Sequence, residues 1–420
     1  MVVRERGFLP GSVLDSRYPW DGRRVVLGVT GGIAAYKVVQ LARDLTCLGA
    51  IVDTILTNGA RQFVQPLSFE GVTGRPVLTD LFSSEGAALH VRLGQDADVV
   101  CVAPATADFM ARAAHGRADD LLTTTLLASH SPVILCPAMN DQMFAHPQTQ
   151  SNIAHLKDHL SYRIAGPAVG PLAFGEGRGP GRMLEVTEII EEIGRVLAAP
   201  SPLEGKHVLV TTGPTREPID PVRYVGNRSS GRMGLAIAKA AWRRGAEVTV
   251  VSGPVYLEDP YGSKVIKVET AQEMFHEVSE VLPGIDLTIF TSAVSDFRPI
   301  NTSKDKIKRS DVGTDLMLNL TENPDIARET QKFRKPGSIT IGFALETDSL
   351  LDNSREKLQD KGFNLLVYNN VTEEGAGFEV DTNRVTLITP MDSDEELPLL
   401  KKEEIAEIIL DRAISILERN

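Results

Sequence analysis

Short β-branched runs alternate with stretches of helical periodicity along nearly the whole chain, and this alternation limits the fold more than any other feature. Upstream the runs are Val25–Val29, Ile51–Leu56, Val99–Val102 and Val133–Leu135; downstream they are Val208–Val210, Val248–Val251, Leu287–Phe290, Ile339–Ile341 and Leu365–Tyr368. Strands separated by crossover helices pair in parallel, so the pattern predicts an α/β fold of doubly wound, Rossmann-like sheets with helices on both faces. Between Leu197 and Lys206 the periodicity lapses into AAPSPLEG, whose prolines, serine and glycine mark a connection. A chain of 420 residues exceeds what one core usually serves. The expected domains are therefore 1–200 and 201–420.

Charge narrows the range of partners. With 56 acidic against 44 basic residues the formal charge is -12, which argues against non-specific binding to nucleic acid or an anionic membrane, since both rely on a basic field. Small anionic ligands must instead find local positive sites. Cys47, Cys101 and Cys136 are odd in number and lack CxxC spacing, so neither a disulfide framework nor a zinc site is expected. No apolar run approaches the roughly 18–20 residues that span a bilayer, and Met1–Trp20 is broken by charges and prolines. A cytoplasmic protein is the expectation.

The segment Thr211–Gly234 reads TTGPTREPIDPVRYVGNRSSGRMG between an apolar strand and a helical pattern that ends at Gly245. Ser229, Ser230 and Gly231 fall at the expected helix start, where unpaired N–H groups and the macrodipole favour phosphate or carboxylate. Asn227 adds a neutral donor. In the first half, Val25–Thr30 leads into Gly31 and Gly32 before a helix expected near Ile33, again a place for phosphate. The pattern is not GxGxxG, and the second strand ends in Thr57 and Asn58 rather than an acid for a nicotinamide ribose.

In the second half, GPTREPIDPVRYVGNRSSGRMG is followed by Ser292–Asp296 (SAVSD), Lys306 in KIK, Asn323–Asp325 (NPD) and Gly342–Thr347 (GFALET). This series resembles the phosphopantothenate–cysteine ligase domain. Upstream, Gly31–Lys37 (GGIAAYK), Pro104–Asp108 (PATAD), Pro137–Asn140 (PAMN) and Gly179–Met183 (GPGRM) resemble the flavin-dependent phosphopantothenoylcysteine decarboxylase domain. Together they resemble the bifunctional coenzyme A biosynthesis family, with a flavodoxin-like first domain. The resemblance implies that 4'-phosphopantothenate and cysteine are joined through an acyl-cytidylate made from CTP, and that the product, phosphopantothenoylcysteine, is then decarboxylated with FMN. It implies FMN contacts at Gly31, Gly32, Ile33, Thr57, Pro104, Ala105 and Thr106. His90 would act as base, Asn140 would grip the substrate carboxylate, and Arg182 and Met183 would line the same site. In the ligase half, Asn227 would stabilise the acyl-cytidylate. Ser229, Ser230, Gly231, Phe290, Thr291, Ser292, Asp296, Lys306, Pro324, Asp325, Ile326, Ala327, Phe343, Lys357 and Lys361 would hold nucleotide and substrate. Magnesium is expected with the nucleotide, with ligands unassigned. The resemblance also implies homo-oligomers: trimeric flavin domains with sites at subunit contacts, and dimerised ligase domains.

One position departs from the family. Where a mobile loop usually carries a proton-donating cysteine, this chain reads LAFGEGRGPGRM, with Phe174 at the expected position and one extra residue. A phenyl ring donates no proton. This leaves a substitute donor such as Cys136, a first domain that is impaired or stops at the ene-thiol, or a shifted alignment. A two-Rossmann nicotinamide oxidoreductase is the remaining reading, disfavoured by the missing fingerprint.

Overall fold

The structure is a computed structural model that describes residues 18–82, 88–313, 315–346, 351–370, 380–390 and 393–419. It separates into two compact units, Met1–Ala199 and Pro200–Asn420.

In the first unit the strands β1 (Arg24–Val29), β2 (Ile51–Leu56), β3 (Val99–Ala105), β4 (Val133–Pro137) and β5 (Arg163–Ile164) form one sheet in the order β2-β1-β3-β4-β5, every neighbouring pair parallel. β3 reads VVCVAPA and is buried at every residue, as a central parallel strand covered on both faces must be. The helix Ala35–Cys47 places Val38, Leu41, Ala42 and Leu45 in the core at helical spacing. A hairpin of β6 (Ala168–Pro171) and β7 (Arg178–Arg182) follows the sheet.

The second unit opens with β8 (His207–Thr212), β9 (Arg216–Pro218) and β10 (Tyr224–Gly226), then β11 (Glu247–Ser252) and β12 (Lys264–Lys267). Next come β13 (Leu287–Phe290), β14 (Phe297–Pro299), β15 (Leu320–Glu322), β16 (Ile339–Glu346) and β17 (Leu365–Asn370). Last are β18 (Thr382–Asn383), β19 (Val385–Ile388), β20 (Glu395–Glu396) and β21 (Leu400–Lys401). The main sheet runs β12-β11-β8-β13-β16-β17-β19-β20. It is parallel as far as β17, and β19 and β20 then add antiparallel pairings. The sequence pattern named β8, β11, β13, β16 and β17 of this sheet and missed the parallel edge strand β12 and the antiparallel β19 and β20. The closing helix Lys402–Leu417 buries Ile405, Ala406, Ile408, Ile409, Leu410 and Ala413 against the helix Arg232–Arg243. Glu407, 3% exposed at its side chain, bridges Arg243 and Arg244 between them.

Both sheets reverse direction of growth once. From β1 the chain builds outward through β2 and then returns to the other side with β3; from β8 it builds through β11 and β12 and returns with β13. Such switch points open a crevice beyond the carboxyl ends of the two flanking strands. No helix among the described residues is long and apolar enough to cross a membrane.

Candidate active sites

A cavity of about 1010 Å³ lies at the first switch point. Thr30, the residue after β1, is 2% exposed; its hydroxyl donates to the Pro104 carbonyl at 2.6 Å and accepts from the Thr106 N–H at 3.2 Å. These bonds stitch the ends of β1 and β3 together. A Cβ on Gly31 would come within 2.9 Å of the Gly59 backbone, so the turn after β1 touches the turn after β2 and only glycine fits. Thr57 fixes that second turn by donating to the Val29 carbonyl and accepting from the Ala60 N–H, both at 3.2 Å.

Gly31, Gly32, Ile33, Thr57, Thr106, Asn140, Arg182 and Met183 all line this cavity. Asn140 caps the helix Asp141–Ala145 through Oδ1, which accepts from the Gln142 N–H at 2.9 Å. Arg182 pairs with Glu185, which also accepts from the Lys37 ammonium at 3.1 Å. Three expected residues lie elsewhere. Ala105 is wholly buried in β3, and the Pro104 ring backs Gly32 at 3.4 Å from its Cβ position rather than facing the cavity. His90 sits on the helix Leu89–Asp96 outside the lining, half-buried, with its Nδ1 enclosed and unpartnered among the described residues.

Phe174 is fully exposed on the turn between β6 and β7, while Ala173 and Glu176 beside it line the cavity. Cys136 does not line it. Its thiol is buried in β4, and its hydrogen bond with Cys101 together with desolvation pushes it well above the usual thiol range. Sequence reasoning also missed Lys37, Asn58 and Met143, and an acidic rim of Asp108, Asp119 and Asp120 gathered around Arg112 at 2.7–3.1 Å. Lys37 was within reach, since it closes GGIAAYK.

A second cavity, of about 900 Å³, lies at the switch point between β8 and β13. The pairings Val251↔Thr211 and Phe290↔Thr211 bring β8, β11 and β13 to an end at one level. Ser229, Ser230 and Gly231 then lead into the helix Arg232–Arg243, and the Thr212 hydroxyl holds the Gly231 carbonyl at 2.9 Å. Gly231 has φ 74°, a backbone conformation that favours glycine. Asn227 donates from Nδ2 to the Val294 carbonyl at 2.8 Å, which fixes its amide at the rim.

This cavity gathers Asn227, Ser229, Ser230, Gly231, Phe290, Thr291, Ser292, Asp296, Pro324, Asp325, Ile326, Ala327, Phe343, Lys357 and Lys361. The Asn323 amide ties two of these turns together by donating to the Ser295 carbonyl at 2.8 Å, and Lys361 pairs with Asp325 at 3.0 Å. Lys306 is absent from the lining and exposed. Its neighbour Ile307 is anchored instead to Asp220 and Arg223. Asp220 accepts from the N–H groups of Val222 and Arg223 at 2.8 and 2.9 Å and from the Arg223 guanidinium. The guanidinium first, then these N–H groups, hold its carboxyl well below the usual range. No sequence signal separates this buried carboxylate from the other acids of the loop.

The comparisons agree with this two-part layout. Residues 15–198 match the Flavoprotein family and residues 203–417 match the DNA/pantothenate metabolism flavoprotein C-terminal domain. The Coenzyme A biosynthesis bifunctional protein CoaBC of Vibrio vulnificus (strain YJ016) is 42% identical over 391 residues, covering 93% of this chain and 96% of that protein. The chain belongs to the bifunctional coenzyme A biosynthesis family. It is thus a two-activity enzyme, and the match across both units gives no support to an impaired first unit. A solved C-terminal domain of a CoaBC protein is 36% identical, covering 52% of this chain and all of that one, with a TM-score of 0.45. A solved FMN-dependent cysteine decarboxylase, SpaF, is 35% identical, covering 42% of this chain and 98% of its own, with a TM-score of 0.36.

Proposed function

We propose that the second unit joins 4'-phosphopantothenate to cysteine at the expense of CTP, and that the first decarboxylates the resulting phosphopantothenoylcysteine to 4'-phosphopantetheine with FMN. One observation carries the ligase reading: an open helix start, two lysines and the Asn227 amide all border one cavity. A carboxylate oxygen of 4'-phosphopantothenate attacks the α-phosphorus of CTP, and pyrophosphate leaves. Cysteine's amine then attacks the acyl carbon, CMP leaves, and the amine proton passes to solvent. The N–H groups of the first turn, Arg232–Gly234, with Lys357 and Lys361, offset the phosphate charge. Asn227 orients the acyl group without adding charge. Backbone edges at Phe290–Ser292 and Pro324–Ala327, beside Phe343, read cytosine, and Asp296 completes the nucleotide contacts from the lining, while Lys306 would have to swing in from outside it. Magnesium would be held chiefly by the phosphates, since no three His, Cys, Asp or Glu side chains converge on a metal position among the described residues.

The first cavity fits FMN, because Gly31 and Gly32 leave backbone open at the start of a long helix and Thr57 and Thr106 offer polar walls. When bound, FMN supplies redox chemistry at the thiol-bearing carbon. Asn140 and Arg182 hold the departing carboxylate. Phe174 supplies no proton, and the acid we assign in its place is Glu176, on the same turn and in the lining. His90, outside its own cavity, serves the site of a neighbouring copy in a trimer of flavin units, while ligase units dimerise. The ligase reading is tested by following CMP and pyrophosphate release: both should match amide formed, need 4'-phosphopantothenate and a divalent cation, and favour CTP over ATP. Amide formation without nucleotide cleavage would refute it.

A further inference from the structure

The ligase cavity has a wall that none of these assignments uses. Asn369, near the end of β17, is 7% exposed, and among the described residues its Oδ1 is enclosed without a hydrogen-bond partner although the residue lines the cavity. A buried amide oxygen left this way is destabilising unless something donates to it.

The strand register brings two further polar residues beside it. Asn369 pairs with Val385, two residues beyond Asn383. β18, which ends at Asn383, pairs through Thr382 with Lys401, so Lys402 follows directly. Asn383 and Lys402 are 4% and 5% exposed, and both line the cavity. Lys402 donates to the Val380 carbonyl at 2.6 Å, and burial followed by the nearby Arg232 pushes its ammonium down. Arg232, the first residue of the helix Arg232–Arg243, pairs with Asp381 and also lines the cavity. This wall and the helix start therefore border one continuous space.

An acceptor that lacks a donor, set beside a buried cation, is complementary to a zwitterion. We propose that Asn369, Asn383 and Lys402 form the subsite of the α-amino acid co-substrate, with Asn369 Oδ1 accepting from its amino group and Lys402 facing its carboxylate. The proposal rests on the ligase reading above. At about 900 Å³ the cavity is at the upper end for a single small ligand, which suits a site that holds a nucleotide-activated acid and an amine together. The amine is thereby presented to the acyl carbon held near Asn227.

Two half-reactions separate the possibilities. Pyrophosphate release from CTP and 4'-phosphopantothenate without cysteine reports activation, and the KM for cysteine in the full reaction reports the subsite. Asn369→Leu should raise that KM by about tenfold or more while activation keeps its rate. Asn369→Asp should retain cysteine affinity, because a carboxylate accepts the same donor. With the unmodified enzyme, cysteamine, which lacks the carboxylate, should show a KM about tenfold or more above that of cysteine. Loss of activation with cysteine KM unchanged would assign this wall to the nucleotide instead and overturn the proposal. Equal KM values for cysteamine and cysteine would also overturn it, whatever the folding of the variants. An unmodified enzyme that releases no pyrophosphate would instead refute the ligase reading, and the subsite with it.

Discussion

Gly234→Ala probes the helix start that anchors the ligase site. Gly234 lies in the first turn of the helix Arg232–Arg243, and a Cβ there would sit 2.4 Å from Thr212 Oγ1 and 2.5 Å from Thr291 Oγ1. Neither hydroxyl is free to swing away: Thr212 holds the Gly231 carbonyl at 2.9 Å and Thr291 holds the Thr211 carbonyl at 2.6 Å. Ordinary contact begins near 3.4 Å, so the helix start must retreat by about 1 Å, a displacement that costs on the order of 100-fold in rate. Overpacking costs about 1–3 kcal/mol, and the helix preference of alanine over glycine returns up to about 1 kcal/mol. At about 2–4 °C per kcal/mol for a unit of this size, the net of about 0–3 kcal/mol should lower the thermal transition of the second unit by up to roughly 12 °C. CMP release should drop about 100-fold, whereas decarboxylation of supplied phosphopantothenoylcysteine should not change. Full ligation together with an unshifted transition would refute the claim that this helix start holds the reacting phosphate.

Asp220→Asn should destabilise the second unit at neutral pH and slow ligation, because the loop beside Lys306 hangs on that carboxylate. Its folded pKa lies below its ordinary 3.8, so its contribution is present above that value and is lost as pH falls through the folded pKa; acid unfolding monitored in both proteins should show this component only in the unmodified one. Glu407→Gln removes the buried carboxylate that Arg243 and Arg244 share, leaving Arg244 its pairing with Asp411; breaking a buried pair of this kind costs about 3–5 kcal/mol, which calorimetry of the second unit would register. Cys136→Ala should leave phosphopantetheine formation unchanged while Glu176→Gln slows it, as product mass would report; the reverse result would return the proton donor to the buried thiol.

Much of the frame was legible because apolar parallel strands and glycine turns have strong local signatures. Gly31, Gly32 and Ser229–Gly231 announce helix starts by composition, and their spacing after β1 and β8 was enough to place both crevices. The antiparallel additions β19 and β20 lie beyond the last predicted run, Leu365–Tyr368, and β20 has only two residues. Asn369 and Asn383 look like ordinary loop-edge amides until the register of β17 against β19 and of β18 against β21 brings them together. Pro104 and Ala105 failed as lining residues for a related reason: a motif records which segment turns at the site, while the burial of β3 decides which side chains face it. Lys306 and His90 lie outside the cavities of their own chain, and a motif in a single sequence does not say whether its side chains face the cavity.

The central claim is that two anion-holding strand-to-helix turns on one chain carry two successive reactions. It is tested most directly by mass analysis of the product formed from 4'-phosphopantothenate, cysteine and CTP, with and without FMN. The account predicts phosphopantothenoylcysteine from the flavin-free protein and a product lighter by one carbon dioxide once FMN is restored. An unchanged product mass on adding FMN, or no amide at all, would contradict it.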